Sequence, residues 1–232
     1  MIPLVARCLP LLGACAAQAV LAQGLAVSRL EHYTENRGWN EAGLGPLHQV
    51  IVSAAVAPSG MPTLVFAEAD GQREPLTHFP QPGMPDTYVL WKRFEPSAPR
   101  AWRLAAERGG AGPVFATTAT LANPQKIPLI DKVRVAGKGT QPRLSWKLPG
   151  LGGFDIERIR VAVRGGARVH GRFMSQLWVS ADLPPTATRF AIPAGVLAPG
   201  ERYVFQVMLE DLEGGALENR SLSFSDPYTP SP

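Results

Sequence analysis

Residues Phe190–Phe224 read FAIPAGVLAPGERYVFQVMLEDLEGGALENRSLSF, three short apolar runs separated by Gly and Pro. Within them Tyr203, Phe205, Val207 and Leu209 alternate with Val204, Gln206 and Met208. That period of two predicts a β-strand whose first set faces a core. Ahead of the strand, Pro199 suits the second position of a tight turn because its φ is fixed. Gly200 suits the third position where φ must be positive. Behind it, Gly214-Gly215 supplies a hairpin, after which Leu222 and Phe224 are expected to resume the inward alternation. The stretch reads as the closing strands of a β-sandwich.

The rest of the chain fits that reading. Its 232 residues contain 23 Gly and 23 Pro, a density of punctuation that favours many short strands over long helices. A hydrophobic fraction of 45% is enough for a core. Strand-like runs in the first half are expected at 49–56, 63–67, 87–94, 101–107 and 114–121. The turn signals Pro58-Ser59-Gly60, Asp70-Gly71, Gln81-Pro82-Gly83, 96–99 and Gly109-Gly110 lie between them. Residues 31–46, with Gly38, Trp39, Gly43 and Gly45, read as a long loop or irregular edge. Trp91 and Trp102 fall in strand-like runs and are expected in the core. The two prolines of Asn123-Pro124-Gln125-Lys126-Ile127-Pro128 resist a helix, so 124–128 reads as a linker. Beyond it, strands are expected at 132–135, 143–148, 157–163, 177–180 and 189–192, with 165–175 as an insertion between the third and fourth. The end of the chain, 227–232, reads as an extended tail.

The second half resembles a fibronectin type III domain, on two groups of residues. Leu197, Pro199 and Tyr203, followed by Phe205 and Val207, resemble the corner entering that fold's sixth strand. Trp146, in RLSWKL, resembles the tryptophan packed from its second strand. An antibody-type domain would carry cysteine where this chain has Phe205, which favours the fibronectin variant. The resemblance implies that the tyrosine hydroxyl bonds back to upstream backbone and that Trp146, Leu197 and Tyr203 are structural. It covers residues 129–226, leaving 23–123 as an N-terminal β-sandwich-like domain. The expected fold class is therefore all-β, with two β-sandwich domains.

Residues 1–22, MIPLVARCLPLLGACAAQAVLA, are apolar, carry Arg7 and end in small residues, the pattern of a secretory signal peptide. Cleavage fits after Ala19 or Ala22, and the alternative Leu12-Gly13-Ala14-Cys15 resembles a bacterial lipoprotein box that would anchor the chain at Cys15. Cys8 and Cys15 are the only cysteines, so such cleavage leaves a chain without thiols that must rely on its core. No later segment approaches the length of a membrane span. The expected location is outside the cytoplasm, periplasmic or extracellular, in a bacterial-type protein.

Charge is uneven along the chain. Residues 24–124 hold eight Lys or Arg and nine Asp or Glu, whereas 125–232 hold fourteen and ten. The excess includes Arg143, Lys147, Arg158, Arg160, Arg164, Arg168 and Arg172. Alternation places Arg158, Arg160 and Arg164 on one strand face, which would dock an anionic partner or merely solubilise an exposed sheet. With Leu177 and Val179 facing inward, Trp178 would point outward beside them, either as a platform for sugar rings or packed under the 165–175 connection. These four residues form the expected binding face.

Catalytic signatures do not stand out. His32, His48, His78 and His170 are scattered, without a zinc-type pair or a nucleophile elbow. No glycine loop has the context to cradle phosphate, and Asp211 with Glu213 offers too few oxygens for a calcium loop. The expectation is a noncatalytic binding or spacer module without cofactor or metal. Its partner would be a protein at the cell surface or in the periplasm, or alternatively an acidic glycan, and not nucleic acid. A hydrolase built on a sandwich is the remaining alternative.

Overall fold

Alternating apolar residues build strands throughout the computed structural model, which describes residues 24–35, 47–57, 64–79, 86–94, 99–107, 113–169 and 172–231. The first half contributes β1 (Gly24–Glu35), β2 (Leu47–Ala57), β3 (Leu64–Ala69), β4 (Gln72–Pro75), β5 (Thr77–Phe79), β6 (Asp86–Arg93), β7 (Ala101–Glu107) and β8 (Pro113–Thr120). The second contributes β9 (Arg134–Ala136), β10 (Arg143–Ser145), β11 (Arg158–Val169), β12 (Arg172–Val179), β13 (Arg189–Ala191), β14 (Val204–Glu213) and β15 (Ala216–Phe224). The protein is all-β, with no helix among the described residues.

An eight-stranded sheet, ordered β12-β11-β14-β15-β1-β2-β6-β5, runs through both halves. Its centre is a parallel contact, in which His32 to Glu35 of β1 pair with Asn219 to Leu222 of β15. A four-stranded sheet, β4-β3-β7-β8, packs on the first half and a three-stranded sheet, β13-β10-β9, on the second. Paired residues share a sheet face. Val50 of the first core lies opposite His32, and His32 lies opposite Asn219. Two residues further along β15, Ser221 lies opposite Leu209 of the second core. Both smaller sheets therefore sit on the same side of the large one, and two sandwiches stand side by side.

Each sandwich encloses its own apolar cluster. Val50, Val52, Val65, Trp102 and Leu104 centre the first, and Trp146, Ile159, Val161, Phe205 and Leu209 centre the second. The corner read from Leu197, Pro199 and Tyr203 is present. Tyr203 is buried, and the Ala198 amide donates to its hydroxyl at 2.9 Å, so the ring closes the core while its oxygen meets upstream backbone. Trp146 is buried too, its indole N–H donating to the Ala187 carbonyl at 2.8 Å. Gly200 adopts φ 79°, and Gly214 and Gly215 adopt 58° and 84°, the left-handed backbone their turns require.

Several local expectations change. The register shifts by one residue between Asp211 and Leu212, reversing the parity of β15. Leu222 and Phe224 thus leave the main core and join Ile51, Ala162 and Met208 on the opposite face of the sheet. That second cluster, with Glu210 beside it, buries the outer side of β14 as well as its inner side. Residues 165–175, expected as an insertion, include the far ends of β11 and β12, which pair with each other as far as Val169 and Arg172, while 170 and 171 lie outside the described residues. Residues 31–35, expected in a long loop or irregular edge, belong to β1 between β15 and β2, while Trp39 lies outside the described residues. Trp91 is 50% exposed because its register partner Ile51 faces away from the first core.

The connector between the halves is tied to β15. The Asn123 amide donates to Glu218 Oε1 at 3.1 Å, the Gln125 amide to Asn219 Oδ1 at 2.8 Å and the Ile130 amide to Ser223 Oγ at 2.9 Å. Ile127 and Ile130 are buried in the second core.

Candidate functional site

The arginines of β11 do share a face, as their alternation requires, but that face also carries an acid. Arg158 lies opposite Glu210 of β14, and Glu210 lies opposite Arg220 of β15. Glu210 is fully buried. Arg158 Nε donates to its Oε2 at 2.6 Å, while Arg160 donates through Nε at 2.9 Å and Nη2 at 2.6 Å, a two-pronged clamp on one carboxylate. Arg158 Nη1 also reaches Asp182 Oδ2 at 3.3 Å. Burial works to lower the Arg158 pKa, but bonding and charge from Glu210, helped by Asp182, outweigh it and hold the pKa above its ordinary value.

The charge ladder continues across the parallel seam. Arg220 Nη2 stands 2.5 Å from Glu31 Oε1 of β1, and its Nη1 stands 3.8 Å from Glu210 Oε1. Arg29 closes the far end by pairing with Glu31. Four arginines thus meet Glu31, Glu210 and Asp182, leaving this part of the face close to neutral. Arg164 lies outside the ladder and donates to Gln206 Oε1 at 3.3 Å. All three cations expected to greet an anionic partner are therefore engaged with the protein's own groups. Arg158 and Arg160 serve as internal counter-charges, with side chains 24% and 21% exposed.

Trp178 lies on the other side of the strand from its expected position. It pairs with Val163 of the second core and packs against Phe190, ring centroids 5.9 Å apart. Leu177 is instead 51% exposed and Val179 joins the outer cluster. A register shift between Val163 and Arg164 separates this end of the hairpin from its distal part. The ring is partly buried, and its contact with Phe190 is that of a packed core side chain. Of the expected binding face, the structure keeps the arginines together and turns Trp178 away from them.

The core side of the seam brings together two histidines that look isolated in sequence. His32 is buried and stacks on His48 across β1 and β2, ring centroids 6.4 Å apart. His48 Nδ1 lies 3.0 Å from Thr34 Oγ1, while His32 Nδ1 is buried without a hydrogen-bond partner. Burial is the main cause holding the His32 pKa below 6.5, with His48 and Lys126 adding to it. Hydrogen bonds to the Gln125 backbone and to Asn219 oppose the shift. His78 stands apart, 3.1 Å from Asp86, and His170 lies outside the described residues. Asp211 is taken by Asn219, whose Nδ2 donates to it at 2.7 Å. Among the described residues no group of three or more His, Cys, Asp or Glu could hold a metal ion. In the same residues no helix is long and apolar enough to cross a membrane.

Glu210, Arg220 and Glu31 are the residues sequence reading missed. Their only signal is an acid or base at alternating strand positions, and partners across strands appear only once register is known.

No family model matches this chain, and no curated protein matches it. Among solved structures, a cytokine receptor complex is 16% identical at a TM-score of 0.33, covering 78% of this chain and 90% of that one. The chicken CNTN1 FN1-FN3 domains are 12% identical at a TM-score of 0.34, covering 88% of this chain and 65% of that one. Those likenesses are loose. The class rests on the chain's own sheets: an all-β protein of two sandwiches, the second a fibronectin type III-like pairing of a three-stranded with a four-stranded layer.

Proposed function

We propose that this chain is an exported, noncatalytic binding and spacer module that engages a protein partner at the cell surface or in the periplasm. In this reading residues 1–22 direct export, and 23–123 and 129–226 are two sandwich domains joined at 124–128. The observation that supports it is the sheet continuous through both halves. Backbone hydrogen bonds across β1 and β15, the buried ladder beside them and the clamped connector resist bending at the seam. A two-domain body joined in this way holds its ends at a set separation, which is what a spacer needs.

The binding part of the reading draws on the end of that sheet. Among the described residues β12 pairs with β11 alone, leaving an edge to which a partner strand can add, with Leu177 exposed beside it. Main-chain bonding supplies affinity in such strand addition, and side chains at alternate positions supply selectivity. The test places a photoreactive amino acid at Leu177, and separately at Arg93 on β6, and irradiates each chain with the envelope of its source cell. A discrete protein adduct from position 177 alone, competed away by unlabelled chain but not by its Leu177→Lys variant, is expected. Adducts of the same pattern from both positions, or none from 177, would overturn the reading.

A further inference from the structure

The segments that build the three-stranded sheet carry charge of one sign, with Asp131 and Asp226 at their border beside Arg134. Residues 132–150 and 184–200, which contain β9, β10 and β13, hold six Lys or Arg and no Asp or Glu. Alternation turns Val135, Leu144 and Phe190 into the core and leaves Arg134, Arg143, Ser145 and Arg189 exposed. The register sets Arg134 and Arg189 on either side of Ser145, and sets Arg143 between Ala136 and Ala191. With strands about 4.8 Å apart and same-face residues about 6.8 Å apart along a strand, the arginines rise from a triangle with sides of roughly 8–10 Å. Its floor is built of small side chains.

These cations differ from those of β11. Arg158 and Arg160 are consumed by Glu210. Among the described residues Arg134, Arg143 and Arg189 make no hydrogen bond or ion pair through their side chains. Like charges on neighbouring strands oppose folding, and among the described residues none of the three is ion-paired to an acid of the chain, so the cluster stabilises nothing in the isolated protein. It is, however, preset for an external anion. Guanidinium forks take carboxylate or sulfate oxygens two at a time.

We propose that this face binds a linear acidic polysaccharide, its carboxylate or sulfate groups held by Arg134, Arg143 and Arg189. The depressions here are open troughs along the sheet, one past Lys132, Arg134, Ser145 and Lys147 with Asp131 as its one acid, and another past Arg143 and Arg189 with no acid, so they fit a chain lying across them. Nucleic acid fits less well, because Trp146 and Phe190 face the core, and Tyr228 beside Arg134 packs against that core with its hydroxyl donating to the Gly139 carbonyl, so none of the three offers an open ring for base stacking. A membrane surface fits less well too, because the exposed large hydrophobics Leu64, Trp91 and Leu177 all lie outside these strands. The proposal rests on the noncatalytic binding reading above but uses a surface separate from the β12 edge.

The test measures affinity of the full chain for heparin and for polygalacturonate, with uncharged dextran, a single-stranded oligonucleotide and phosphatidylglycerol vesicles as further arms. The variant Arg134→Glu/Arg143→Glu/Arg189→Glu is compared with Arg93→Glu/Arg100→Glu/Arg202→Glu, which removes the same charge elsewhere. At roughly threefold per exposed contact, the first is expected to lose about 30-fold on an acidic polysaccharide, with the second nearly unchanged. An Arg→Gln triple, which reverses no charge, should lose less and guards against misfolding. Equal losses in both charge-reversed variants, no polysaccharide binding, or tighter binding to the oligonucleotide or vesicles would overturn it. Loss here with the Leu177 adduct intact would leave the protein-partner reading standing.

Discussion

Replacing Arg220 with Met tests whether the two sandwiches are joined through the buried ladder. The Glu31 side chain is 2% exposed and is paired by Arg220 and by Arg29, which is itself 40% exposed. Removing Arg220 leaves Glu31 with only the more hydrated of its partners, while Glu210 keeps Arg158 and Arg160. Breaking a buried pair by removing one member costs about 3–5 kcal/mol, because the remaining charge stays buried. Since Arg29 remains, the low end applies, and a loss of about 3 kcal/mol is expected. In a chain of this size that lowers Tm by roughly 6–12 °C. Adding Glu31→Gln removes the stranded charge, so the double variant should lose about 2 kcal/mol less than the sum of the two single losses, a coupling energy read from urea denaturation of the four-member cycle. Additivity within about 0.5 kcal/mol would refute the reasoning, since it would mean that Glu31 and Arg220 do not sense each other across the seam.

Two further outcomes follow from the same geometry. Because burial holds the His32 pKa below 6.5, the unfolded chain takes up that proton first as pH falls. The His32 contribution is therefore flat above about pH 6.5 and destabilising below it. A His32→Gln variant should lose less stability than the parent between about pH 7.5 and 5.5, and parallel melting curves would contradict this. Tyr203→Phe removes the acceptor of the Ala198 amide while keeping the ring in the core. Ala198 is exposed and can turn to water, so a loss of about 0.5–1.5 kcal/mol by denaturant titration is expected, well short of a core truncation.

What could be read from the chain alone were features written locally. The alternation of Tyr203, Phe205, Val207 and Leu209 needs no distant partner to specify a strand, because successive side chains of an extended backbone must point to opposite faces. Gly200 and the Gly214-Gly215 pair are equally local, since positive φ is a property of the turn itself. Trp146, Leu197 and Tyr203 were legible for the same reason. Each is an apolar residue at a fixed offset from a turn or strand start.

Tertiary structure decided everything that depends on register. A one-residue shift moved Leu222 and Phe224 to the opposite face, and Trp178 packs inward where simple alternation points it out. Arg158 and Arg160 read identically in sequence whether they greet a partner or clamp Glu210, because the acid comes from a strand 50 residues away for Arg160. The free cations instead lie on β9, β10 and β13, where three strands bring Arg134, Arg143 and Arg189 together from separate segments. A strand's period is set by the backbone and travels with the sequence. Which neighbour it meets, and in what register, is settled only when distant strands compete for the same hydrogen bonds and the same core.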